Sequence, residues 1–242
     1  MAKNSMKLDD LVKQLHAVHG AQLQAVVLYG SAASDEAIQG HSDQNVLVIV
    51  RAIDLGTLRS LGQTVRAWQE AGNPPPLTLT LDEWTRSADI FPMEYADILE
   101  RHRVLDGTLP LEGIHIDAAH LRLQTEQEAM GKLLRLRRGV MMAGADTKRQ
   151  AELLDASFSA LLVIFRAVLR LHGVRPPRDA LAVIRELSSR AGIDGAAFER
   201  VAEMVRGATI AEPDTESVLS EYVRGMDALV LYLDRYAPPP AA

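Results

Sequence analysis

Apolar positions in residues 1–113 alternate between helical spacing and short, almost continuous runs. The segment "MKLDDLVKQLHAVHG" has apolar residues three and four positions apart, which predicts an amphipathic helix that ends at Gly20. The runs "LQAVVLYG" and "NVLVIV" are typical of strands buried on both faces, and "LTLTL" alternates as a half-buried strand does. Helices are predicted over "DLGTLRSLGQTVRAWQEAG" and from "FPMEYADILERH" onward. This pattern predicts a small α/β domain with a mixed sheet.

Residues 114–242 show helical spacing throughout. Five segments separated by short links predict an antiparallel bundle, and the second, which contains "FSALLVIF", is apolar on most sides and is expected at its centre. Glycine and proline punctuate "DGTLPLEGIH", where we place the domain boundary. The predicted fold class is therefore α+β, with a mixed-sheet domain over 1–113 and an all-α bundle over 114–242.

Composition narrows the classes of function. The chain has 242 residues, 48% of them hydrophobic, no cysteine and a formal net charge of -6. The missing cysteine excludes disulfides and thiolate metal sites, and the negative charge argues against general nucleic-acid binding. No apolar run is long enough to span a bilayer, and "MAKNSMKLDD" lacks the apolar segment of a signal peptide, so we expect a soluble cytoplasmic protein.

The residues most suited to binding a ligand lie in "VVLYGSAASDEAIQGHSDQNVLVIV", residues 26–50. Gly30 and Ser31 follow one predicted strand directly, and a glycine there lets backbone N–H groups approach a phosphate closely. Asp43 stands at the start of the next strand, where a carboxylate can hold Mg²⁺ against phosphate oxygens. The pattern predicts a phosphate cradle at Gly30 and Ser31, and a metal ligand at Asp43.

This arrangement resembles the nucleotidyltransferase superfamily, which has the polymerase-beta-like fold. The matching motif is "YGS", eleven residues, then "DQNV", and the helical second half resembles the bundles of kanamycin-nucleotidyltransferase-like and HEPN proteins. The resemblance implies an NTP as ligand, Mg²⁺ as cofactor, an acceptor that the sequence does not identify, Asp43 as a catalytic residue, and Asp43 and Asn45 as metal ligands.

The sequence departs from that family at two of three acidic positions. Asn45 replaces the second acidic residue, Gln44 replaces a hydrophobic one, and the strand expected to supply the third carboxylate carries Thr78 and Thr80. Two-metal phosphoryl transfer relies on such carboxylates. We therefore predict Mg-NTP binding with impaired or absent transfer. Two alternatives stay open: an active enzyme that moves an NMP group to a small molecule or protein, and an interaction module that binds no nucleotide.

Other acidic residues have structural interpretations. Thr80 and Glu83 match a helix capping box, "TLDE". Glu94 and Asp97, one helical turn apart in "FPMEYADI", are interpreted as the solvated face of a helix.

The second half carries two further candidates. Arg135 belongs to a basic cluster on the first predicted bundle helix and is a candidate phosphate contact, although a solvated helix face is the simpler interpretation. Arg166 and His172 fit the spacing of HEPN ribonucleases, but their segment is interpreted as a core helix.

Overall fold

The structure is a computed structural model that describes residues 6–33 and 44–238. The chain divides into two compact units, residues 1–116 and 117–242. Each unit is described by itself below.

The first unit is built on a four-stranded mixed sheet in the order β3-β2-β1-β4. β1 is antiparallel to both β2 and β4, with Tyr29 opposite Asn45 on one side and His102 on the other, while β2 and β3 are parallel. The strands are β1 (Leu23–Tyr29), β2 (Asn45–Val50), β3 (Leu77–Thr80) and β4 (His102–Gly107). The mixed sheet predicted from the sequence is confirmed.

Both faces of the two central strands are buried. Side chains alternate between faces along a strand, so Val26 and Val48 join one apolar core while Val27 and Leu47 join the other. The helices that cover the first face are α1 (Leu8–His19) and α3 (Gly62–Glu70), and those on the second are α4 (Leu81–Arg86) and α5 (Pro92–Glu100). Helix α2 (Leu55–Ser60) packs against α1 and α3. Full burial of each such side chain stabilises the fold by about 1.5–3 kcal/mol.

Two details of the first unit differ from the expectation. The helix predicted over "DLGTLRSLGQTVRAWQEAG" is divided into α2 and α3 at Leu61. Strand β4 was not predicted, because it is an edge strand with Arg103 and Val104 exposed and so lacks an apolar pattern. The capping box is confirmed, since the Thr80 hydroxyl accepts from Glu83 N and the Glu83 carboxylate accepts from Thr80 N.

The second unit consists of helices throughout its described part, residues 117–238, as the helical spacing predicts. The five helices are α6 (Ala118–Ala143), α7 (Thr147–Leu171), α8 (Ala180–Ala191), α9 (Ala196–Val205) and α10 (Glu212–Arg235). Helix α7 packs against the other four, so its predicted central place is confirmed. Phe198 packs edge-on against Phe165 of α7 and at a tilt against Tyr222 of α10, with ring centroids 4.9 and 5.0 Å away.

Candidate functional site

The turn after β1 is fixed to the end of helix α5. Gly30 adopts φ 76°, a left-handed conformation that L side chains adopt at a cost. Its N–H donates to the carbonyl of Arg101, 3.1 Å away, and the Arg101 N–H donates to the carbonyl of Asp97, 2.9 Å away. The backbone of the Gly30 turn and the last turn of α5 are therefore held together.

Two polar side chains converge on Gly30. A Cβ atom placed on Gly30 would lie 3.3 Å from Asp97 Oδ2 and 3.6 Å from Asn45 Nδ2. Asn45 reaches this point because it opens β2 opposite Tyr29, and Asp97 reaches it because Tyr95 and Ile98 bury the neighbouring positions of α5 in the core. Hydrogen in place of a side chain at Gly30 leaves room between an amide and a carboxylate.

The surroundings of this turn carry negative charge. Burial raises the pKa of Tyr29 to about 12, and the nearby Glu94 and Asp97 carboxylates add to the rise because a phenolate would be repelled by them. Tyr29 therefore remains a neutral phenol at physiological pH. These carboxylates would repel a polyanion, and a cation between them would offset that repulsion.

Arg101 supplies positive charge at the same place. Its side chain is 12% exposed, and Nη2 lies 3.9 Å from Asp97 Oδ1, which is within ion-pair range but beyond a hydrogen bond. Nη2 is buried and has no hydrogen-bond partner among the described residues. A buried guanidinium N–H without an acceptor is costly, and an anionic oxygen would satisfy it.

Comparison with known proteins addresses the fold. No family model matches the chain, and no curated protein matches it. Among solved structures it is similar to the crystal structure of spectinomycin adenyltransferase AAD(9) from Enterococcus faecialis with ATP and spectinomycin, at a TM-score of 0.60 and 12% identity, over 94% of this chain and 98% of that one. The chain has the nucleotidyltransferase fold. The resemblance stated from the Gly-Ser motif is thereby confirmed at the level of the fold.

Within the nucleotidyltransferase fold, the positions expected to carry the third carboxylate lie on the wrong face of the sheet. Thr78 is paired with Val48 and Thr80 with Val50, and both valines belong to the core beneath α1 and α3. Asn45 lies on the other face, two residues before Leu47 in β2. A carboxylate at either threonine would therefore point away from Asn45, which corrects the sequence-based assignment.

Asp97 is the acidic residue whose surroundings differ from the sequence-based interpretation. Glu94 is exposed, as expected of a solvated helix face, but Asp97 is only partly exposed and lies against Gly30. The spacing of two acidic residues on a helix could not reveal this placement. The one signal in the sequence was that apolar residues, Ala96 and Ile98, flank Asp97 in "FPMEYADI"; both are buried in the structure.

Several predicted site residues are not tested. Asp43 lies outside the described residues, and only the backbone of Ser31 is described. Arg135 is an exposed residue of α6 in the second unit, and its predicted phosphate contact stays a prediction. Within residues 6–33 and 44–238, no three His, Asp or Glu side chains are grouped to hold a metal ion. In the same part of the chain, no helix is long and apolar enough to cross a membrane.

The donor set at Gly30 nevertheless fits a hard divalent cation. Asp97 offers a carboxylate oxygen, and the Asn45 amide, whose Nδ2 is the atom nearest Gly30, would offer Oδ1 after turning over. Mg²⁺ commonly takes one or two protein carboxylates and completes its shell with phosphate oxygens. The two residues with HEPN spacing make hydrogen bonds within the bundle. His172 Nε2 is 2.6 Å from the Tyr232 hydroxyl, and Arg166 Nη2 donates to the carbonyl of Arg178.

Proposed function

We propose that this protein binds a Mg²⁺-nucleoside triphosphate at the Gly30–Ser31 turn, with Asp43 and Asn45 as metal ligands and with slow or absent nucleotidyl transfer. The observation that carries the proposal is the convergence of Asn45 and Asp97 on Gly30. Because even a Cβ would be tight against Asp97 here, the bare backbone of the turn, the amide and the carboxylate come together at one point, where a phosphate and the cation that it brings could contact them.

Charge explains why the metal and the nucleotide would bind together. The carboxylates around Tyr29 would repel a free triphosphate, and Asp43 and Asn45 alone would hold Mg²⁺ weakly. The Mg²⁺ complex of an NTP avoids both problems, because phosphate oxygens complete the metal's shell and the metal offsets the repulsion. The buried Nη2 of Arg101 is a donor available to a phosphate oxygen.

An active nucleotidyltransferase is the second candidate, favoured by one specific observation. Asp97 brings a carboxylate to the face of the sheet that carries Asn45, where Leu79 of β3 contributes none. With Asp43 this makes two carboxylates, and Asp97 could accept a proton from an attacking hydroxyl if an acceptor lay within hydrogen-bond reach. The related structure contains ATP and spectinomycin, so these are the first nucleotide and acceptor to test.

Calorimetry on the full chain tests the binding proposal. We expect α,β-methylene ATP to bind with Mg²⁺ and to bind at least about tenfold more weakly without it, a difference of about 1.4 kcal/mol. Asp43→Ala and Asp97→Asn should each weaken Mg²⁺-dependent binding. Asp89→Asn is the matched control, because Asp89 is exposed and precedes α5. Equal affinity of all variants, with and without Mg²⁺, would exclude a nucleotide site at this turn.

Pyrophosphate release from ATP, with and without spectinomycin, separates the two candidates. Binding without release supports a nucleotide-binding protein with impaired transfer. Release that is lost in Asp97→Asn, while the variant still binds the nucleotide, would show that Asp97 takes part in catalysis and would favour the active enzyme.

A further inference from the structure

The outer face of helix α6 carries a straight stripe of large apolar side chains. The stripe consists of Leu123, Met130, Leu134 and Met141, which are 58%, 41%, 44% and 75% exposed. At 3.6 residues per turn, the spacings of seven, four and seven residues keep all four within about 20° of one line along the helix. The stripe is about 27 Å long, at about 1.5 Å per residue.

This stripe is not part of the bundle core. Helix α6 buries its opposite side, including Thr125, Ala129 and Leu136, in contact with the bundle. A helix with apolar residues on two opposite sides is typical of one that packs on both sides. Four exposed large residues in line are more than the single apolar residues that are normal on a protein surface.

The stripe is symmetric about residue 132. Leu123 and Met141 lie equally far from that point in opposite directions, and so do Met130 and Leu134. If two α6 helices lay side by side and antiparallel about a two-fold axis there, Leu123 of one copy would face Met141 of the other. Each apolar residue would then meet an apolar residue, as a self-complementary two-fold interface requires.

Polar residues beside the stripe select the same orientation. On one side lie Glu126 and Arg137, and on the other Gln127 and Arg138. In the antiparallel pair, Glu126 lies at nearly the height of Arg137 of the second copy, and Gln127 at that of Arg138. A parallel pair would instead bring like arginines together, which is unfavourable.

We propose that the protein forms a two-fold dimer in which α6 packs antiparallel against α6 of a second copy, through the apolar stripe centred on residue 132. Glu126 and Arg137 also have ion-pair partners within their own chain, Arg122 and Asp227 respectively. In the dimer, the contact between Glu126 of one copy and Arg137 of the other would therefore extend ion pairs that already exist. One pair of helices buries an area at the low end of specific interfaces, so we expect a weak dimer whose formation depends on protein concentration.

The mass in solution tests whether the dimer forms. Sedimentation equilibrium of the full chain should show a shift, as concentration rises, from 26.5 kDa to twice that mass. Leu134→Glu should leave only monomer, because it buries a charge against Met130 of the second copy. Leu231→Glu is the matched control, since Leu231 is 49% exposed and lies on α10, away from the stripe. A wild-type chain that stays monomeric above about 100 µM would overturn the proposal.

Disulfide cross-linking tests the orientation, and the chain has no cysteine of its own to interfere. A mixture of Leu123→Cys and Met141→Cys chains should give a cross-linked heterodimer under mild oxidation. Neither variant alone should cross-link, because like positions would be about 27 Å apart along the helices. Cross-linking of each variant with itself, and not in the mixture, would contradict the antiparallel pairing.

Discussion

Replacing Gly30 by alanine tests the role of the turn most directly. The added methyl group would lie 3.3 Å from Asp97 Oδ2 and 3.6 Å from Asn45 Nδ2, in the space assigned to the nucleotide. The first distance is tight, so the Asp97 carboxylate has to shift by a few tenths of an ångström. We expect Gly30→Ala to lose both stability and nucleotide binding.

The two losses have different causes and can be separated. A left-handed φ costs a non-glycine residue about 1–2 kcal/mol, and each kcal/mol lowers the melting temperature of a unit this size by about 4 °C. Gly113 has φ 78°, against 76° at Gly30, and a Cβ there would meet nothing within 4 Å. Gly113→Ala therefore carries the same conformational cost without the contact at the site.

Thermal unfolding and calorimetry with Mg²⁺ and α,β-methylene ATP provide the two measurements. Both alanine variants should melt earlier by similar amounts, while only Gly30→Ala should lose affinity, by about tenfold or more. Unchanged affinity in Gly30→Ala would refute the assignment of this space to the nucleotide. An equal loss of affinity in Gly113→Ala would attribute the effect to general destabilisation.

Three other changes have defined outcomes. Asn45→Asp adds an anionic ligand and should tighten Mg²⁺-dependent nucleotide binding about tenfold by calorimetry; unchanged affinity would remove Asn45 from the metal shell. Tyr95→Phe should cost about 1–1.5 kcal/mol in urea unfolding, because the Tyr95 hydroxyl donates to the buried end of α4 at the Trp84 carbonyl, 2.7 Å away; a neutral result would mean that water replaces it. Burial lowers the pKa of His172 from its ordinary value of 6.5, so the unfolded chain takes up a proton first and stability should fall as pH drops below about 6.5. His172→Gln should flatten that part of the pH profile, and an unchanged slope would assign it to other groups.

Local sequence patterns were sufficient to predict the strands, helices and cap that leave a mark within a few residues. The continuous apolar runs predicted β1 and β2, and "TLDE" predicted the cap at Thr80, because burial on both faces and capping leave their mark within a few residues. The change to helical spacing likewise predicted five helices with α7 at the centre. Strand β4 was not predicted, because an edge strand has no such burial pattern.

The arrangement of the candidate site depended on contacts between distant segments. Whether Thr78 shares a face with Asn45 is set by the register of β3 against β2, and a shift of one residue reverses the answer. Asp97 lies against Gly30, 67 positions earlier in the chain, because burial of Tyr95 and Ile98 fixes the rotation of α5 on the sheet. The sequence by itself determined most of the elements and the Gly-Ser turn, since these depend on local periodicity and backbone freedom. Only the tertiary structure decided which carboxylate meets that turn, because packing, and not spacing along the chain, sets the distance between them.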